Sequence, residues 1–199
     1  MNKNNNNFII VIAVIIATAI GLMIYSGGQN KTSAPAVDQY GMPINELVNK
    51  PAPDFSFADR DGKIYSRDAL RGKNIILFFN EGLMCYPACW NQIVALAKDE
   101  RFKNTDTVVL SVVLDSPEEW QKAIAQMPEL AQATVVFDKD ATVSKKLGML
   151  KTASSMHYGI FPGHTFIIID KEGVIRYVLD DPNMGIRNDQ LITELEKFK

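Results

Sequence analysis

Two short, continuous apolar runs near the middle of the chain constrain its fold most strongly. Residues 75–80 (IILFFN) and 107–114 (TVVLSVVL) are apolar at nearly every position, which is typical of strands buried on both faces of a sheet. The segment between them predicts a helix over residues 85–99, and a capping signal from Ser116 to Glu119 predicts another helix after the second run. Alternating strands and helices predict an α/β fold with a mostly parallel sheet.

Two hairpin signals predict antiparallel strands at the edges of this sheet. They are Asp61-Gly62, between residues 55–57 and 63–66, and residues 171–173, between residues 165–169 and 174–179. The other predicted elements are a helical lead-in over 38–50, a strand over 134–137, and helices over 141–147 and 191–198. The expected domain is a three-layer α/β sandwich with a mixed central sheet and flanking helices.

Residues 8–25 (FIIVIAVIIATAIGLMIY) form an apolar run of 18 residues without a charge. A helix of this length spans about 27 Å, close to the hydrocarbon core of a bilayer. A polar N-terminus (1–7) precedes the run, and a tether with its lead-in (26–50) and the main domain (51–199) follow it. A cleaved signal peptide is the alternative, although its apolar core is usually shorter. We expect a single-pass anchor in the cell membrane, with the N-terminus in the cytoplasm and the C-terminal domain outside it.

Charge and motif content exclude several classes of function. The net charge of −2 shows no excess of basic residues, so a nucleic-acid partner is not expected. The chain contains no phosphate-binding glycine loop, no HExxH and no GxSxG, which argues against the usual NTPases, metalloproteases and hydrolases. Two cysteines are too few for a disulfide-stapled mini-domain or a multi-zinc scaffold.

The two cysteines, Cys85 and Cys89, both lie in residues 80–93 (NEGLMCYPACWNQI), where the first buried strand passes into a helix. Reactive groups gather at the carboxyl ends of strands in open α/β sheets, and a helix N-terminus favours a thiolate. We therefore expect an active pair, with Cys85 the more exposed thiol. Two buried structural cysteines, or a static disulfide, remain the alternatives.

The C-x-x-x-C spacing also suits a soft metal ion. In a continuous helix the two β-carbons would lie about 5–6 Å apart, so a disulfide requires a loosened first turn. His157 and His164 are the histidines of the chain, and His164 directly precedes a predicted strand. With the two thiolates it would form a site suited to Cu(I), to which Met84 could add a thioether. An ordinary histidine at a strand end is the alternative for both.

Three other features near these residues have simpler interpretations. Trp90 is expected to pack beneath the cysteine pair, and Asp180-Asp181 is expected to form a solvated turn before Pro182. For Asn80 and Glu81 the sequence does not distinguish a role in the pocket from solvation in a loop.

Residues 52–82 and 164–178 together resemble the thioredoxin-like superfamily, in the branch that contains the AhpC/TSA peroxiredoxins, TlpA-type redoxins and Sco copper proteins. The framing segments APDFSFADRDGKIYSRDALRGKNIILFFNEG and HTFIIIDKEGVIRYV carry this resemblance. It implies a thioredoxin-like fold over about residues 50–198.

The cysteine region departs from each of the three patterns. The peroxiredoxin turn P-x-x-x-T-x-x-C is missing, because Phe78 and Gly82 stand where its Pro and Thr would precede Cys85, so efficient peroxide reduction is not expected. TlpA-type reductases use C-x-x-C. Sco proteins use C-x-x-x-C with a distant histidine, which Cys85, Cys89 and His164 match, although Trp90 replaces a Pro.

The sequence as a whole predicts a membrane-anchored extracytoplasmic thiol-disulfide oxidoreductase of the redoxin type that uses Cys85 and Cys89, with an antioxidant role as an extension. It would need no cofactor and would exchange electrons with a protein thiol or disulfide partner. The alternative is a Sco-like chaperone that binds Cu(I) through Cys85, Cys89 and His164.

Overall fold

A computed structural model of the protein describes residues 43–198, and these residues form one seven-stranded mixed sheet. Across the sheet the strands run in the order β2-β1-β5-β4-β3-β6-β7. The pairs β3–β4 and β4–β5 are parallel, and the other neighbours are antiparallel. The strands are β1 (Ser56–Asp59), β2 (Ile64–Ser66), β3 (Asn74–Phe79), β4 (Thr107–Val113), β5 (Val135–Phe137), β6 (Thr165–Ile169) and β7 (Ile175–Asp180).

The α-helices are α1 (Ala88–Lys98), α2 (Glu100–Asn104), α3 (Pro117–Gln126), α4 (Thr142–Lys146) and α5 (Asn188–Leu195). Short 3-10 turns lie at Ile44–Glu46, Gly82–Cys85, Pro128–Gln132, Lys139–Ala141, Met149–Lys151 and Glu196–Phe198.

Side chains of β3 alternate between two hydrophobic clusters, one on each face of the sheet. Ile76 and Phe78 join the cluster that contains α1, α3, α5 and both cysteines. Ile75, Leu77 and Phe79 join the second cluster, which contains Val143 of α4. This arrangement is the predicted three-layer α/β sandwich with a mixed central sheet.

Several local predictions are confirmed. Both hairpins form where the turn signals lie, as β1–β2 and β6–β7. The predicted capping box opens α3: the hydroxyl of Ser116 accepts from the Glu119 amide at 3.2 Å, and the Ser116 amide donates to the Glu119 carboxylate at 3.0 Å.

The predicted helix over 85–99 is wrong at its start, because α1 begins at Ala88. Tyr86 has an extended backbone, as is usual for the residue before a proline, so Cys85 lies outside the helix. The last helix begins at Asn188 rather than residue 191. Within residues 43–50, the part of the lead-in that the structure describes, the helical structure is a 3-10 turn over Ile44–Glu46. That turn is followed by Leu47, which is buried in the second cluster.

The segments 1–7 and 8–25, with most of the tether, lie outside the described residues. Between residues 43 and 198, none of the helices has the length and apolar character needed to cross a bilayer.

Candidate functional site

The sheet register brings three segments together at one edge. Phe79, the last residue of β3, pairs with Val112 near the end of β4 and with Thr165 at the start of β6. The turn after β3, the residues after β4 and the residue before β6 therefore meet at the same place. The cysteines, Asp115 and His164 occupy these positions.

Cys85 and Cys89 are joined by a disulfide, with their Cα atoms 5.4 Å apart. Cys85 ends the 3-10 turn Gly82–Cys85, and Cys89 is the second residue of α1. The break at Tyr86, whose peptide bond to Pro87 is cis, separates the two elements. Cys85 is 2% exposed and Cys89 0%, so exposure does not distinguish the thiol expected to be the more accessible.

His164 is the histidine that reaches the sulfur pair. Its Nδ1 lies 3.5 Å from the Sγ of Cys89, and its ring packs edge-on against Phe78 and Phe166 at 4.7 and 5.4 Å. Burial lowers the pKa of His164 to about 4, and the nearby Asp181 carboxylate only partly opposes this effect. The imidazole is therefore neutral at neutral pH.

His157 contacts Glu81 instead of the cysteines. Its Nδ1 lies 2.8 Å from the Oε2 of Glu81. The Oε1 of Glu81 accepts from the amides of Met156 and His157 at 2.6 and 3.0 Å and from the Ser155 hydroxyl at 3.1 Å. Glu81 is 1% exposed, so solvation in a loop is excluded. The hydrogen bonds of this carboxylate connect residues 155–157 to the turn that carries Cys85.

Asp115 supports the same turn from the end of β4. Its Oδ2 accepts from the Leu83 amide at 3.2 Å. Gly82 has a φ of +57°, and a β-carbon there would lie 1.7 Å from the same Oδ2. Burial raises the pKa of Asp115 to about 6, although the Leu83 amide opposes the shift. Asp115 is not among the residues predicted from the sequence, although its position directly beyond a buried strand is a signal for such a site.

The predicted solvated turn at Asp180-Asp181 is wrong. Asp181 is 3% exposed, and its carboxylate binds the guanidinium of Arg187 at 2.6 and 2.7 Å. It also accepts from the amides of Asn183 and Gly185 at 3.2 and 2.9 Å. Asp181 is therefore an internal support rather than part of a solvated loop, because a cation and two amides compensate its buried charge.

Two methionines flank the site in different ways. Met84, which could have supplied a thioether, is 54% exposed. The Sδ of Met184 instead lies 4.0 Å from the Sγ of Cys85. The sulfurs of Cys85 and Cys89 and a ring nitrogen of His164 all lie within 4.8 Å of one another, which is compact enough for a metal ion once the disulfide is reduced.

Trp90 packs beneath the pair, as predicted. It is 2% exposed, its ring contacts those of Tyr86 and Trp120, and its Nε1 donates to the carbonyl of Gly82 at 3.0 Å.

The sequence profile of the AhpC/TSA family matches residues 48–178. The chain belongs to the AhpC/TSA family. The resemblance to its peroxiredoxin-like members is confirmed, and Cys85 and Cys89 are the bonded cysteine pair of this family member.

Curated relatives agree with this assignment, and a solved structure shares the fold. Chloroplastic peroxiredoxin Q from Triticum aestivum is 29% identical over 135 residues, covering 65% of this chain and 57% of the relative. A peroxiredoxin from Hyperthermus butylicus is 28% identical over 162 residues, covering 76% of this chain and 66% of the relative. The chain thus spans less than two thirds of the length of either relative. The crystal structure of peroxidoxin BcpB from Mycobacterium tuberculosis, 16% identical, covers 77% of this chain and 98% of its own with a TM-score of 0.63, which shows the shared thioredoxin-like fold.

Proposed function

We propose that the protein is a membrane-anchored, extracytoplasmic thiol-disulfide oxidoreductase whose Cys85–Cys89 pair cycles between dithiol and disulfide. The observation that carries the proposal is the bonded pair itself, which follows the carboxyl end of β3 and lies beside the neutral His164. The membrane location rests on the apolar run over residues 8–25.

The reduced pair would act in two steps. The Cys85 thiolate attacks one sulfur of a substrate disulfide, which forms a mixed disulfide and releases the other substrate sulfur as a thiolate. The Cys89 thiolate then attacks the Cys85 sulfur, which expels the second substrate thiolate and forms the bond seen in the structure. Two electrons pass to the substrate, and an external dithiol donor restores the pair.

His164 would accompany this cycle as the proton partner of Cys89. The imidazole is neutral beside the disulfide. A thiolate at Cys89 would favour its protonation, because an opposite charge within hydrogen-bond distance stabilises the imidazolium. Reduction of the pair would therefore take up a proton at His164.

Exposed apolar side chains around the buried disulfide favour a protein as the substrate. Met84 and Tyr86 flank Cys85 in sequence and are 54% and 62% exposed. Met156 belongs to the segment that Glu81 binds to the same turn, and Tyr158 and Ile160 follow it; the three side chains are 56–64% exposed. Such a surface suits an apolar polypeptide segment that carries a disulfide. Peroxide is the less favoured oxidant because the peroxiredoxin turn is missing, and an antioxidant role would consist of repairing oxidised thiols.

The test is an anaerobic assay of the reduced full chain with insulin and with hydrogen peroxide as alternative oxidants. We expect rapid reduction of insulin, no turnover with Cys85→Ser, and a trapped mixed disulfide with Cys89→Ser. Full reducing activity in both variants would exclude the mechanism. Faster consumption of peroxide than of the protein disulfide would instead make the protein a peroxidase.

The second candidate is a chaperone that binds Cu(I) through Cys85, Cys89 and His164. The compactness of the three donors favours it, since two thiolates and an imidazole are soft enough for Cu(I). We expect one tightly held copper per reduced chain and a strong loss of affinity in His164→Ala, measured against a competing chelator. Weak binding that is indifferent to His164 would exclude this candidate and leave the oxidoreductase.

A further inference from the structure

Each sulfur of the pair has one further donor atom beside it. The Nδ1 of His164 lies 3.5 Å from the Sγ of Cys89, and the Sδ of Met184 lies 4.0 Å from the Sγ of Cys85. Met184 also packs against the hydrophobic cluster that contains both cysteines. A thioether and an imidazole thus approach the pair at its two different sulfurs.

The loop that carries Met184 is attached to the residue that supplies the imidazole. The amide of Asp181 donates to the backbone carbonyl of His164 at 3.0 Å, and the amide of Met184 donates to the carbonyl of Asp181, also at 3.0 Å. The buried Asp181 carboxylate closes the loop through Gly185 and Arg187. The positions of the thioether and the imidazole are therefore set by one continuous network.

The backbone of Met184 supports a specific role for its side chain. Its φ is +49°, in the left-handed region that residues other than glycine, asparagine and aspartate seldom adopt. A long side chain in this conformation costs free energy that the surrounding loop must supply. This backbone conformation directs the Met184 thioether against Cys85 rather than into solvent.

We propose that Met184 is the fourth ligand of a Cu(I) site formed with Cys85, Cys89 and His164. The inference rests on the copper candidate above and extends its three ligands to four. Two thiolates, an imidazole and a thioether form a donor set that favours Cu(I) over harder cations. Loading requires that the disulfide first be reduced to two thiols, either by a dithiol that becomes a disulfide or by a phosphine and water that become a phosphine oxide. The two thiols then lose their protons when the metal binds.

Met84 provides a matched control for this proposal. It lies one position before Cys85, but its side chain is 54% exposed. Replacement of either methionine by leucine removes a thioether while nearly preserving side-chain volume. Comparing Met184→Leu with Met84→Leu therefore separates a ligand from a methionine that merely lies near the site.

The experiment is an anaerobic Cu(I) titration of the reduced full chain against bicinchoninate, with the phosphine reductant removed. We expect Met184→Leu to weaken binding about tenfold and Met84→Leu to leave it unchanged. Copper X-ray absorption should show one fewer sulfur neighbour only in Met184→Leu. In the selenomethionine-labelled wild-type sequence, selenium absorption should show a copper neighbour that is lost in Met184→Leu, which tests the ligand even if the variant folds poorly.

The outcomes separate this inference from the copper candidate. Equal affinity and equal sulfur coordination in wild type and Met184→Leu, with binding lost in His164→Ala, would reject Met184 while the three-ligand site stands. Absence of tight Cu(I) binding in the wild type would reject both. If selenium absorption of the copper-loaded, selenomethionine-labelled wild type showed no copper neighbour, that result alone would reject the thioether as a ligand.

Discussion

The two ends of the disulfide are held by different kinds of structure. Cys89 lies in the first turn of α1, beside His164, whose position follows from the register of β6 against β3. Cys85 lies in a 3-10 turn that is held by the buried carboxylate of Glu81, by Asp115, and by contact with Met184. Backbone hydrogen bonds fix the first end, whereas side chains fix the second.

This difference predicts where the site is vulnerable. A sheet ladder and a helix distribute their stability over many bonds, so a single side chain at the Cys89 end can change with little loss of structure. The turn at the Cys85 end depends on a few side-chain acceptors, which satisfy partly buried amides. The predictions below test this contrast, from the largest expected effect to the smallest.

Replacing Glu81 by alanine should have the largest effect. Glu81→Ala removes the acceptor of the Met156 amide and leaves the His157 amide only its longer bond to the Ser155 hydroxyl, in a partly buried place, and we expect the free energy of unfolding to fall by about 3 kcal/mol. Urea denaturation measures this loss, and faster hydrogen exchange in residues 152–161 should accompany it. Glu129→Ala, at an exposed position, is the control; an equal effect in both variants would show that the Glu81 carboxylate does not hold the turn.

The left-handed glycine of the turn should be the next most sensitive position. Gly82→Ala adds a β-carbon that collides with the Asp115 carboxylate and strains a φ of +57°, so we expect a loss of about 2 kcal/mol or more. Gly72→Ala is the matched control, since Gly72 has a φ of +82° but open space around it, and it should lose only about 1 kcal/mol. Equal thermal shifts for the two variants would contradict the close approach of Asp115.

At the Cys89 end the expected effect depends on pH. Burial lowers the pKa of His164 from 6.5 to about 4. Between these two values the unfolded chain binds a proton that the folded chain does not, so the free energy of unfolding falls as the pH drops through this range. His164→Leu removes that loss. It should match the wild type near neutral pH and exceed its free energy of unfolding by about 2 kcal/mol near pH ~5. If the free energies of unfolding of the wild type and His164→Leu differed by the same amount at every pH in this range, the histidine would not be buried as a neutral ring.

Asp115 should give a smaller effect of the opposite dependence. Its folded pKa is raised from 3.8 to about 6, so its contribution to stability is full at acidic pH and is lost as the pH rises through about 6. Asp115→Asn keeps an acceptor for the Leu83 amide without the charge. After allowance for solvent screening, we expect it to be about 1 kcal/mol more stable than the wild type near pH ~8, and equal near pH ~4.

The Asp61→Asn variant, which removes a carboxylate at an exposed surface position, is the control for that experiment. A stabilisation of Asp115→Asn that persists unchanged at acidic pH would mean that charge burial is not its cause.

The same contrast explains what could be predicted from sequence. Periodicity and turn signals predicted the strands, both hairpins and the capping box at Ser116, because these depend on neighbouring residues. They also placed His164 directly before a strand, while its approach to the cysteines remained one of two alternatives. That end of the site is therefore mostly a product of regular secondary structure.

The Cys85 end could not be obtained in this way. Glu81 binds amides 75 and 76 residues later in the chain, and Arg187 turns Asp181 into a buried anchor. A single sequence carries no record of such distant pairs, so Glu81 remained undecided and Asp181 was predicted to be solvated. For the same reason, the sequence suggests Met84, the neighbour of Cys85 along the chain, as the thioether near the cysteine pair, whereas the structure places Met184 there.

The indole of Trp90 bridges the same two segments as the disulfide, because its N–H binds the carbonyl of Gly82 while its backbone belongs to α1. This bridge does not depend on the oxidation state of sulfur. In the proposed cycle, the turn and the helix would remain joined when the disulfide opens, and each thiol would stay near the other at a high effective concentration. Re-forming the disulfide would then cost little chain entropy. The hydrogen bond of Trp90 would thus keep the two cysteines close in both oxidation states.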